Sequence, residues 1–96
     1  MPYIKPEDRP SINAYLAGLA SILGNRPGDL NYAITKLAHD YIMVAMNAKG
    51  RLRYAMLNEV IGVLECAKLE AYRILAAGYE DKARRENGPV SGLEKT

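Results

Sequence analysis

Glu59, Glu65, Cys66, Glu70 and Arg73 are the residues of this chain whose types and spacing bear on chemistry. At ~100° per residue, a helix over this stretch gathers them with Asn58 and Gly62 on its polar side. Glu59, Cys66 and Glu70 would then ring a small pocket, with Arg73 as an anion clamp. A glycine in mid-helix costs ~1 kcal/mol against alanine and often marks close approach by a backbone or ligand. The plainer reading is a solvated face, with Glu70 and Arg73 as an i,i+3 ion pair worth a few tenths of a kcal/mol. Charged helix faces are mostly of that kind, and this reading carries more weight.

Metal chemistry fits the spacing poorly. Glu59, Glu65 and Glu70 are six and five residues apart, whereas side-by-side carboxylates on a helix need three or four. The Glu-x-x-Glu and Glu-x-x-His pairs of helical di-metal sites are therefore missing. His39, Asp40 and Cys66 would make a mixed, unpaired set, so no metal and no cofactor are expected. Cys66 as a nucleophile has only His39 as a candidate base, with no local signature around either. Glycine-rich phosphate loops do not occur.

Nucleic-acid binding would draw on Lys49, Arg51 and Arg53 beside Tyr54, and on Lys82, Arg84 and Arg85. The net charge is +2. The stretch 49–54 alone carries +3, residues 55–78 carry −1, and residues 1–48 and 79–96 are each neutral. Glu80, Asp81 and Glu86 offset the second cluster. A dedicated binder spreads its basic residues along a face.

These side chains need helices to hold them. Prolines at 2, 6 and 10 make the first ten residues an extended arm. Asp8 caps a helix over about 10–23, whose face is Ile12, Tyr15, Leu16, Leu19, Ile22 and Leu23 and whose stop is Gly24. Asp29 caps a second helix over about 30–48, with Leu30, Ile34, Leu37, Tyr41, Val44, Ala45 and Ala48 as its stripe. The third runs over about 51–77. Gly78 ends it as a left-handed cap, with Tyr79 packing back on Ile74. A short charged fourth helix covers about 80–87, and Asn87-Gly-Pro89 stops it. Residues 1–88 form one helical domain, and 89–96 are a flexible tail.

The composition agrees with a folded domain: 96 residues, 49% hydrophobic and 25% charged. Seven tyrosines stand without Phe or Trp, and such half-polar rings suit the margins of a core or an interface. One cysteine leaves no internal disulfide. The longest apolar run, Tyr41 to Met46, is far short of the ~20 residues of a membrane span. No secretory signal opens the chain, and a cytoplasmic, membrane-free protein is expected.

The third helix is apolar over about half its circumference, from Val63 round to Tyr54 and Tyr72, where a stripe of ~100° serves one neighbour. A chain this small buries only about 60–65% of its unfolded surface. A twofold dimer is the expected solution, with third helices packed through Leu57, Val60, Ile61, Leu64, Lys68 and Tyr72.

Three stretches carry a resemblance: Met1-Pro-Tyr-Ile-Lys-Pro-Glu-Asp-Arg, Gly28-Asp-Leu-Asn-Tyr, and Asn58-Glu-Val-Ile-Gly-Val-Leu-Glu-Cys-Ala-Lys-Leu-Glu-Ala-Tyr-Arg with Tyr79-Glu-Asp-Lys and Glu86-Asn-Gly. With these the chain resembles a family of small uncharacterised proteins of phages and bacteria, carried as a domain of unknown function. The resemblance implies a compact helical protein and transfers no activity. Its motif retains Glu59, Gly62, Glu65, Cys66, Glu70 and Arg73, so this face is expected to be covered by the arm or by Tyr79–Lys82, with Arg73 as anchor.

The sequence thus predicts an all-α, up-down bundle of three helices and a short fourth, with a Pro-rich arm and a dimeric state. The leading function is a non-enzymatic interaction or accessory protein, with phage association as its expected setting. The alternatives are a nucleic-acid-binding accessory factor using Lys49, Arg51, Arg53, Arg84 and Arg85, and a small-ligand enzyme using the Glu59, Cys66 and Arg73 face.

Overall fold

A computed structural model describes residues 2–95, so Met1 of the arm and Thr96 of the tail lie outside it. The fold is all-α, with no strand among the described residues. The elements are α1 (Arg9–Leu23), α2 (Pro27–Lys49), α3 (Tyr54–Ala71), a π-helical segment (Tyr72–Ala76) and α4 (Ala77–Asn87). Short 3-10 turns occupy Pro6–Asp8 and Gly92–Lys95.

Local chemistry sets most of these boundaries. Pro10 occupies the first turn of α1, where a missing N–H leaves no helical partner unsatisfied. Asp8 is the N-cap residue, but its carboxylate accepts no capping hydrogen bond. Arg9 instead folds the arm back, donating through Nε and Nη2 to the Ile4 carbonyl at 3.0 and 2.8 Å. α2 begins at Pro27 rather than after Asp29, because proline's fixed φ already suits the first helical position. Asp29 then lies inside the first turn and pairs with Arg26 at 2.5 Å. Arg26 also donates to the Ile22 carbonyl at 2.7 Å, joining the end of α1 to the start of α2.

Two boundaries differ from the sequence reading. Gly50 closes α2 in the left-handed region at φ 81°, and Arg51–Arg53 stay irregular, so α3 starts at Tyr54 rather than Arg51. Gly78 does not end the third helix: its φ is not positive, and helical structure passes through the π segment into α4. A Schellman cap requires the left-handed conformation that Gly78 lacks. The separate helices expected over 51–77 and 80–87 are thus replaced by α3, the π segment and α4 in succession. The stop lies at Gly88, at φ 88°, whose N–H donates to the Arg84 carbonyl at 2.8 Å.

The chain divides into two compact units, residues 1–63 and 64–96. In the first, half-buried Ala38, Ile42 and Ala45 recur at steps of four and three residues along α2, with half-buried Met46 beside Ala45. Met56 and Val60, one turn apart on α3, are the buried hydrophobic residues among those described. The Tyr41 hydroxyl donates to Glu59 Oε1, fixing where these two helices meet. In the second unit, Leu64, Glu70, Ala76, Ala77, Ala83 and Glu94 are half-buried. There Arg84 donates to the side chain and the carbonyl of Glu94, both at 2.7 Å, which holds the Gly92–Lys95 turn against α4.

Candidate functional site

On α3, Glu59, Glu65 and Cys66 are open to solvent rather than covered, while Glu70 is half-buried. Glu59, Cys66 and Arg73 are all exposed, which overturns the expectation that the arm or Tyr79–Lys82 shelters them. The cause is that nearby groups already satisfy these charges. Glu70 accepts from Arg73 at 2.7 and 3.3 Å, and Glu65 pairs with Lys68 at 3.0 Å. Both are i,i+3 pairs on a single helix, exposed enough to contribute only a few tenths of a kcal/mol. The arm is anchored to Arg9, and Tyr79 is exposed.

Gly62 marks no close approach either. A Cβ built there meets nothing within 4 Å. Cys66 is a free, exposed thiol. Among the described residues no group of three or more His, Cys, Asp and Glu side chains converges. Glu59 belongs to the first unit, where it accepts the Tyr41 hydroxyl, while Cys66, Glu70 and Arg73 belong to the second. That acceptor, and then its negative charge, raises the Tyr41 pKa above the usual 10.0. The same arrangement recurs in the second unit, where Tyr72 donates to Glu80 Oε2 at 2.8 Å and its pKa is raised for the same reason.

The basic candidates separate into free and engaged groups. Lys49, Arg51 and Arg53 are exposed, and no ion pair among the described residues takes them up. Arg85 is exposed, whereas Arg84 is held by Glu94. The interface candidates on α3 are also unlike one another. Val60 is buried within its own chain and Leu64 half-buried, while Leu57 and Ile61 are 38% and 64% exposed. Lys68 pairs with Glu65, and the Tyr72 hydroxyl is held by Glu80.

A concave surface lies between the apolar stripes of α1 and α2. α1 and α2 face each other across an apolar groove of about 260 Å³, lined by Leu16, Leu19, Leu23, Leu30, Ile34 and Leu37 with Ala20 and Ala33 between them. A second opening of about 460 Å³ shares Leu19, Leu23, Ala33 and Leu37 and adds Ile22, Tyr32, Asp29, Lys36 and Asp40 at its polar margin. These leucines are the helix stripes seen in the sequence. The spacing that identified them gives no sign that they stay uncovered in a single chain.

No helix among the described residues is long and apolar enough to cross a membrane. No curated protein and no solved structure matches the chain significantly. The model of the family described as Domain of unknown function (DUF6899) matches residues 1–90, and the chain belongs to that family.

Proposed function

We propose that this protein is a non-enzymatic interaction or accessory protein that works through its exposed apolar helix faces. The observation that carries this reading is the imbalance of burial. Among the described residues Met56 and Val60 are the buried hydrophobic ones, whereas Ile12, Leu16, Leu30, Ile34, Leu37 and Ile61 among others remain open. Large exposed apolar surface is characteristic of a protein–protein contact. The up-down bundle read from the sequence is then completed between chains rather than within one. The polar α3 face offers an enzyme little, since its carboxylates are spent on neighbouring side chains. The test is affinity capture of the tagged chain from its native host under stringent washing, with mass spectrometry of what is retained. A specific, stoichiometric protein (including an untagged copy of the same chain) supports the reading. Recovery of the tagged chain alone, as a monomer, refutes it.

A second reading, nucleic-acid binding, is favoured by one observation: Lys49, Arg51 and Arg53 are exposed at the α2–α3 connection, and no ion pair among the described residues takes them up. Phosphate contacts of this kind weaken steeply with salt. Retention on immobilised DNA or RNA at low salt, lost in the Arg51→Glu/Arg53→Glu variant, would support it; failure to bind at low salt excludes it.

A further inference from the structure

The chain exposes 8434 Å², whereas a compact protein of its mass exposes only ~5,500 Å². Two separate compact bodies dividing the mass two to one would still expose only ~6,500 Å². The second comparison, which assumes nothing about how the two units sit, leaves a surplus of roughly 1,900 Å² per chain. Doubled across a pair, that lies within the ~2,000–5,000 Å² buried by obligate complexes, well above the ~1,600 Å² of an ordinary transient one.

Part of this surplus lies in the α1–α2 groove. Leu16, Leu19 and Leu23 on α1, and Leu30, Ile34 and Leu37 on α2, recur at the three- and four-residue steps of a helix-bundle seam. Leu16, Leu30, Ile34 and Leu37 are 47%, 50%, 46% and 62% exposed. The lining of this groove includes no charged side chain, so it meets an identical surface without stranding a charge. A partner covering so much apolar surface must be present from synthesis in equal amount, and a second copy of the chain meets that condition automatically.

We infer that the α1–α2 groove is the seat of a second copy, the two hairpins pairing about a twofold axis into a four-helix bundle. This rests on the reading of the protein as an interaction protein and names its first partner. The seam is α1 and α2, not the α3 face that the sequence suggested.

Light scattering on the full chain gives the first test: twice the 10.6 kDa chain mass is expected at micromolar concentration. A species of 10.6 kDa overturns the self-pairing and leaves the broader reading to its capture experiment. Thiol labelling then locates the seam. In the Cys66→Ser background, Leu37→Cys and Ile61→Cys place thiols at positions of similar exposure in the lone chain, 62% and 64%. Pairing through the groove slows labelling at Leu37→Cys by about tenfold or more relative to Ile61→Cys. Equal rates, or slower labelling at Ile61→Cys, in a dimeric protein overturn the assignment of the groove. Both substitutions exchange an exposed apolar side chain for a small one, which the lone helices tolerate.

Discussion

The Tyr41 hydroxyl donates to Glu59 Oε1 across eighteen residues of sequence, linking α2 to α3 beside the buried Met56 and Val60. Because the phenol is held protonated by its acceptor, the Tyr41 pKa is raised above 10.0. A raised pKa means that the link contributes fully below the unfolded value and is lost as pH climbs through the folded one. Tyr41→Phe is therefore expected to lower stability by a constant amount at neutral pH, and the gap from the parent protein should close above pH 10.0. Urea titrations of both proteins at several pH values check this; a gap that widens at alkaline pH contradicts it.

The glycines separate helix interiors from helix ends. Gly62 and Gly78 have negative φ and room for a Cβ, so Gly62→Ala and Gly78→Ala should each stabilise by ~0.5–1 kcal/mol. Gly50→Ala, at φ 81°, should destabilise by about 1 kcal/mol. The Gly78 result is the sharper of the two. A helix that ended there would make alanine harmful.

Glu94 holds the end of the chain. Its carboxylate pKa is lowered first by the Val90 backbone N–H, with help from the Arg84 side chain and the Ser91 N–H, against a smaller opposing effect of burial. A depressed pKa places its contribution above the usual 4.5, and acid removes it as pH falls through the folded value. Amide NMR should show Val90 and Ser91 shifting together on acidification, and both already displaced at neutral pH in Glu94→Gln.

A pair of chains that fold together is more resistant to denaturant when concentrated. Raising the protein concentration a hundredfold should shift the urea midpoint upward without changing the slope. A midpoint independent of concentration would mean that each chain folds alone.

Helix ends governed by one or two residues were legible in the sequence. Pro10 and Gly24 bracket α1, and Gly88 ends α4, because each acts through its own backbone restriction or freedom. Gly78 misled for the same reason: a glycine is compatible with both a left-handed cap and a helix interior, and the decision belongs to its neighbours. The excess of apolar surface was legible too, but not its location. Hydropathy counts greasy residues without saying which will meet, so the sequence pointed to the third helix while Leu16, Leu30, Ile34 and Leu37 on α1 and α2 are open as well. The polar α3 face was overvalued because spacing shows that Glu65, Glu70 and Arg73 share a side, not that Lys68 and the pairing between Glu70 and Arg73 already satisfy them.

The five π-helical residues Tyr72–Ala76 act as a phase shifter. With hydrogen bonds reaching one residue further back than in an α-helix, the segment lags its neighbours by roughly a quarter of a revolution. Azimuths counted forward from Leu64 at a uniform step therefore misplace every side chain after Ala76. Deleting one residue from this segment would bring α4 back into phase with α3 and break the Tyr72–Glu80 clasp that spans the offset.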